Sequence, residues 1–442
     1  MALQESEEGA QDAHLGLQIQ RAEAPRPDPA RHRGETLSAP HNGHKVPRIV
    51  PTRLAGPVHI PEPMRALERP LPIVGRILAA AALCACSGPA PGQDGPVGAG
   101  TTAGALFVDG GVLGPGACTP SPGNFEIPGN QCDDDADGKV DNAPACDTSL
   151  PVEGTAAHFA QALGVCQMAD AQRWGLIAAE YTGSYGSSLP PNPQQHGILS
   201  KFGSTLKPRQ GGALGVLSSG FAREFNGSAT GAFQEGATMA GPGKAPPGYP
   251  KPAAGCQIDT AVNDVVSLKL RIKAPANARG VAFDFNFMSG EWPQWVCSRY
   301  NDAFVAMLTS SASGSVATNI SFDAQKNPVS VNNGFFDRCT PGTMTGCNGD
   351  PPVIRTSACA GGETELLGTG FAQRQLYCGN KPSTGGGATG WLTSQAAVKP
   401  NEELTLEFLS WDTGDDNYDS LVLLDNLRWE FGETVTVTQR PK

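Results

Sequence analysis

The chain has 442 residues, a formal net charge of −11, 12 cysteines, 55 glycines and 38 prolines. That acidic balance argues against nucleic acid as a partner, because phosphate binding needs clustered lysine and arginine. No stretch is long and apolar enough to span a membrane as a helix, and the Gly and Pro content points to long turns between short elements.

Residues 1–63 are polar, rich in Pro and Arg, and hold five of the seven histidines. They show no apolar periodicity and are expected to be disordered. "MRALERPLPIVGRILAAAALCACSG" follows from Met64, with Arg65 and Arg69 ahead of an apolar run from Ile73 to Ala85. That layout predicts a secretory signal over 64–86, with Met64 as the true start and 1–63 as an upstream extension. Its end, Leu83-Cys84-Ala85-Cys86, resembles a bacterial lipobox, which implies acylation of Cys86 and a lipid tether to the membrane. Cleavage near Ala85 without a lipid is the alternative. Residues 87–131 read as a flexible linker.

The segment 132–147, "CDDDADGKVDNAPACD", places Asp133, Asp135 and Asp137 at alternate positions, then Gly138, the Lys139 carbonyl and Asp141. Alternate carboxylates with a turn-forming Gly suit calcium, which takes six to eight oxygens. Pro144 stands where an EF-hand carries its bidentate Glu, so this is not an EF-hand. The loop resembles the Asp-x-Asp-x-Asp-Gly loops of thrombospondin type 3 and dockerin modules. The competing reading is an acidic solvated hinge. Ten cysteines remain after Cys86, an even number that predicts disulfides in an exported chain. Cys132–Cys146, Cys339–Cys347 and Cys359–Cys378 are the local pairs expected. Zinc is disfavoured, since there is no CxxC and only His158 and His196 lie beyond residue 63.

Beyond Pro151, Ala157, Ala160, Leu163 and Cys166 recur at helical spacing, so a short helix is expected, with His158 packed in it. The rest reads as strands. "VVSLKLRIKA" and "VAFDFNFM" alternate with period two, and "AFVAMLTS" is apolar on both faces. "ELTLEFLSW" and "SLVLLDNLRWEF" complete the set. The pattern predicts a mostly β domain over 152–438: an antiparallel, jelly-roll-like β-sandwich with long loops at 236–255 and 340–362.

Two motifs in this region are family-specific. "FDFNFMSGEWPQWVCSRYNDAFVAML" and "GGATGWLTSQAAVKPNEELTLEFLSWDTGDDNYDSLVLLDNLRW" resemble the paired signatures of the choice-of-anchor L domain, over about 152–432. Gly290 stands where members often carry an acidic residue. The resemblance implies a β-rich, exported bacterial protein tethered at the cell surface. It implies little about biochemical role.

The second acidic cluster gathers Asp412, Asp415, Asp416, Asp419 and Asp425 around "WDTGDDNYDSLVLLDN", joined by Glu291, Asn301 and Asp302 if the two motifs meet. Three readings stand: a structural calcium, carboxylates capping turn N–H groups, and a catalytic pair drawn from Glu291, Asp412 and Asp419. Trp292, Trp295 and Trp391 are candidates for sugar contact, with packing as the alternative. "GGGATG" fits a dinucleotide pattern but precedes Trp-Leu-Thr rather than a helix, so no such site is expected. The chain therefore reads as an exported, surface-anchored, non-enzymatic binding or adhesion protein with calcium-stabilised loops and an extracellular glycan or protein ligand. The alternatives are a glycan-directed extracytoplasmic hydrolase and a structural envelope component. It is placed in the cell envelope, lipid-anchored to the outer membrane or cell surface.

Overall fold

The computed structural model describes residues 106–108, 111–113, 118–142, 145–227, 231–379 and 381–441. All belong to the second of two compact units, Pro96–Lys442. The expectations for residues 1–63, for the signal at 64–86 with Cys86, and for Pro144 lie outside the described residues. Among the described residues no helix is long and apolar enough to cross a membrane.

Among the described residues the one α-helix, α1 (Ala156–Ala162), buries Ala156, Phe159 and Ala160. Thr155 and His158 form a capping box at its start, so His158 satisfies a helix end instead of packing in an apolar face. Strands follow at β1 (Gly175–Thr182), β2 (His196–Leu199), β3 (Leu214–Ser218), β4 (Val262–Lys273), β5 (Gly280–Ser289) and β6 (Ala303–Thr309). The two main sheets are completed by β7 (Thr318–Asn319), β8 (Val329–Ser330), β9 (Gly387–Ala388), β10 (Leu392–Ala397), β11 (Glu403–Thr413), β12 (Ser420–Glu430) and β13 (Val437–Gln439). Outside them, three short antiparallel pairs join Leu106–Val108 to Gly111–Leu113, Met344–Thr345 to Arg355–Thr356, and Gln373–Gln375 to Ser383–Gly385. One sheet runs β8-β6-β11-β4-β1 with β7 also on β6. The other runs β13-β10-β5-β12-β3-β2 with β9 on β5. Every pairing between them is antiparallel, and the fold is the expected β-sandwich.

Alternation sets the core. Val266, Leu268, Leu270 and Ile272 of β4 face inward beside Leu404, Leu406 and Phe408 of β11. Across the interface Phe283 meets Phe408 edge-on at 4.8 Å, and Phe285 meets Phe304 at 4.9 Å. Strands apolar on both faces have a second cover. Val305, Met307, Leu409 and Trp411 pack outside one sheet with Tyr185 and Tyr249 from loops. Val216, Met288, Leu421 and Leu423 pack outside the other with Phe202, Leu366 and Phe371. The long loops are thus lids on apolar faces. The sheet edges are mostly short: two residues in β8, three in β13 and four in β2. The longer edge strand, β1, carries a register shift between Leu176 and Ala178.

Two expectations change. The stretch read as flexible linker is docked on the domain from Cys118 onward: Phe125 packs 5.3 Å from Trp174 and exchanges hydrogen bonds with the Asn277 side chain. A single half-buried aromatic anchors a segment whose Gly and Pro composition hides it. All six candidate cysteines are bridged, but not as the local pairs expected. The bonds are Cys118–Cys132, Cys146–Cys166, Cys256–Cys297, Cys339–Cys359 and Cys347–Cys378. The acidic loop is pinned outward at each end, to the preceding segment and to the turn after α1, instead of being closed on itself.

His196 stacks on Tyr181 at 3.7 Å with Nδ1 buried and unpartnered. Burial, with the Arg223 charge, holds its pKa down at about 4. The stability it contributes is therefore present above its ordinary value near 6.5 and is lost as pH falls from there through about 4. His196→Phe should keep the stack and remove that component. Melting temperatures measured from pH 7 to pH 4 should show wild type losing more stability than the variant.

Candidate functional site

Because the strands are antiparallel, the starts of β4, β6 and β12 and the ends of β5 and β11 meet at one end of the sandwich. Ala303 pairs with Trp411, Val262 with Thr413, and Ser420 with Ser289. Each terminus carries an acid: Asp264 near the start of β4, Glu291 after β5, Asp302 before β6, Asp412 one residue from the end of β11, and Asp419 before β12. All five are at most 2% exposed, a degree of burial that charged groups tolerate only when compensated.

Their compensation is unequal. Asp302 clasps the two sheets, accepting from the Thr413 N–H at 2.8 Å with one oxygen and from the Ser420 hydroxyl at 2.8 Å with the other. Asp264, at φ +49° in a β4 bulge, accepts from the N–H groups of Met239, Ala240 and Gly241. A bulge re-aims a side chain in this way. Asp419 accepts from the Ala237 N–H at 3.0 Å with Oδ1, while its Oδ2 has no partner. A Cβ on Gly220 would stand 1.3 Å from that Oδ2, so only glycine leaves it room. Neither oxygen of Asp412 accepts a well-formed hydrogen bond, and Glu291 Oε2 and Asn301 Oδ1 are also unpartnered. The Ser219 hydroxyl lies near enough to Asp412 to favour its charge slightly, but donates to the Ser420 carbonyl. Among the described residues no ion pair reaches any of the five acids.

The electrostatics follow. Burial first, then the Asp302 charge, pushes Glu291 and Asp412 well above the carboxylate range. Burial also raises Asp419, aided by Asp264, Asp302 and Asp416 against the Ala237 N–H. Asp302 is pushed up to about 7 by burial, opposed by its bonds to Thr413 and Ser420. Asp415 and Asp416 lie half-buried in the loop above, where Asp416 accepts from the Thr238 hydroxyl at 2.8 Å. The cluster lacks a positive counter-charge, and its bare oxygens are those of the hardest chemical type.

Asp425 does not belong to it. It lies six residues beyond Asp419, about 20 Å along an extended strand, where it accepts from the backbone N–H groups of Arg209, Gln210 and Asn426. Asp264 was missed by sequence reading, because nothing in "VNDVVS" marks a bulge. Trp292 is buried and stacks on Phe336 at 5.5 Å, the half-buried Trp295 meets Tyr300 at 5.2 Å, and Trp391 packs beside an outer core, so each of the three takes part in packing. Gly387 and Ala388 of "GGGATG" form β9.

In the first acidic loop, oxygens of Asp133, Asp135 and Glu126 lie within 4.8 Å of one another. Glu126 comes from outside the predicted motif and holds the loop by accepting from the N–H groups of Asp134 and Asp141. Asp137 accepts from the Lys139 N–H and lies 3.7 Å from the Lys139 ammonium, and Asp141 accepts from the Gln131 N–H. At the sandwich end the carboxylates are more widely spread, with no three of their oxygens so close among the described residues.

These features define a disulfide-bonded antiparallel β-sandwich with a buried, uncompensated acidic end. The Choice-of-anchor L domain family matches residues 194–428, over half of the chain, and the chain belongs to that family. The match runs from β2 into β12 with the whole acidic end, and leaves out α1, β1, β13 and the first acidic loop. No curated protein and no solved structure matches the chain. Membership suggests a surface-associated protein.

Proposed function

We propose that this is a surface-associated, non-enzymatic binding module whose acidic end holds a hard divalent cation, calcium by preference. The observation that carries the reading is Asp412: a carboxylate 1% exposed, with neither oxygen in a well-formed hydrogen bond and no ion pair to a basic side chain among the described residues. Leaving such a group buried costs several kcal/mol in charged form. A cation recovers that cost through oxygens already facing inward, namely those of Asp412, Glu291, Asn301 and Asp419. The wide spacing of the carboxylates means that binding would draw them together. The hydrolase reading is less well supported, because the same carboxylates offer no open face to a substrate. The first loop is proposed as a second calcium position, with Glu126 beside Asp133 and Asp135. Export, a lipid tether at Cys86 and an extracellular glycan or protein partner complete the proposal.

Calorimetric titration of the full chain with calcium, beside Asp412→Asn and the double variant Asp135→Ala, Asp137→Ala, tests it. Wild type should show saturable heat and a higher melting temperature. Asp412→Asn should lose the stabilising event and the double variant a different one. No response of wild type to millimolar calcium would overturn the cation reading.

A further inference from the structure

A second built site lies away from the acidic end. At the β12 bulge between Asp425 and Arg428, Asn426 adopts φ +52°, a conformation Asn tolerates. Its side chain, the Thr393 hydroxyl, Arg428 and Arg209 all donate to one carboxylate, Asp284, at 3.0, 2.6, 3.0 and 3.3 Å. Asp284 is 1% exposed. Burial raises its pKa, but Arg428 and the hydrogen bonds outweigh that and hold it below the usual carboxylate range. Two arginines are thereby fixed side by side on the outer face of a sheet.

Above them opens a cavity of about 600 Å³, walled by β10, the bulge and residues 430–441. That volume is within the range of small-ligand sites. Its chemistry is mixed. Arg209 commits only Nε to Asp284, and a guanidinium has five donors. Gln395 uses its amide N–H on the Val435 carbonyl, leaving the oxygen to accept. Glu433 adds acceptors at the rim, while Glu430 lies 3.8 Å from Arg428 as its ion-pair partner. Arg440 is already paired with Asp337 at 2.7 Å. Donors and acceptors alternate, and the acidic residues match the arginines in charge. An anion would meet as much repulsion as attraction, and an apolar ligand would strand every one of these groups. A hydroxyl both donates and accepts without charge.

We propose that this groove binds a neutral saccharide. No aromatic ring lines it, so affinity comes from hydrogen bonds alone and should be modest, with Kd on the order of 1 mM. The proposal does not depend on the cation at the other site.

The test is calorimetric titration of the full chain with maltohexaose, cellohexaose, xylohexaose and chitohexaose, with hexagalacturonate as an anionic comparator, in calcium and in EDTA. At least one neutral hexasaccharide should bind saturably, equally in both buffers. Gln395→Ala should weaken it about fivefold or more while melting as wild type does, and Arg209→Ala should weaken it by a similar factor with a lower melting temperature, since it also removes a donor to Asp284. The proposal is overturned if no neutral saccharide binds, if hexagalacturonate alone binds, if EDTA abolishes binding, or if both variants bind like wild type.

Discussion

Asp412→Asn should stabilise the calcium-free protein and remove the part of its calcium response that arises at the sandwich end. The two effects have opposite signs and a common cause. Without a cation, wild type either keeps an unpaired charge buried or protonates Asp412 against solvent at neutral pH, and both cost stability. The amide carries no charge, and beside Asp302, which disfavours the Asp412 charge, it can also donate. Removing the buried carboxylate should gain about 1–3 kcal/mol. With calcium at a hundred times its Kd, wild type gains about 2.7 kcal/mol that the variant cannot. Chemical denaturation of both proteins, each in EDTA and in calcium, measures the four stabilities. If the variant is the less stable protein in EDTA and responds to calcium as fully as wild type, Asp412 is neither a strained nor a ligating group.

Loss of the Cys256–Cys297 bridge should be the most damaging single change at the disulfides near the site. The bond closes a separation of 41 residues, and chain entropy assigns such a loop about 4 kcal/mol. That corresponds to a fall in melting temperature of roughly 10 °C. It also fixes the turn between Glu291 and Asp302, where Cys297 donates its N–H to the Asn332 side chain and Trp295 donates its N–H to the Glu291 carbonyl. Cys256→Ala with Cys297→Ala should therefore weaken calcium binding as well as stability. The Cys118–Cys132 pair, separated by 14 residues and attached to the first acidic loop, is the control. Its removal should cost about 3 kcal/mol and leave calcium affinity at the sandwich end intact. Equal losses of affinity in the two double variants would mean that the effect is general loosening.

What could be read in advance follows the range of the signal. Period-two alternation in "VVSLKLRIKA" and "VAFDFNFM" is local, and both segments are strands with those residues in the core. The two-faced apolar strands were recognisable as buried, but not that loops carrying Phe202, Phe371 and Tyr249 cover them, because that requires contacts between distant segments. Cysteine pairing failed for the same reason. Cys339 and Cys347 are close in sequence, yet each faces a different later cysteine. The meeting of Glu291, Asp302, Asp412 and Asp419 was legible because each flanks a strand end, and antiparallel ends coincide. Asp425 was misassigned because nearness along an extended chain is not nearness in space. Asp264 and Glu126 carried no signal beyond being acidic.

The short edges of the two sheets have a consequence for life in a crowd. A protein held on a surface meets copies of itself at high local density, where a long bare strand recruits its neighbour through open N–H and C=O groups. Here three edges offer four residues or fewer, and the eight-residue β1 is interrupted by its register shift and carries Glu180 on its exposed side. Among the described residues the two main sheets offer a neighbouring copy no long straight edge to extend, so the sandwich can be packed densely without those sheets polymerising strand to strand.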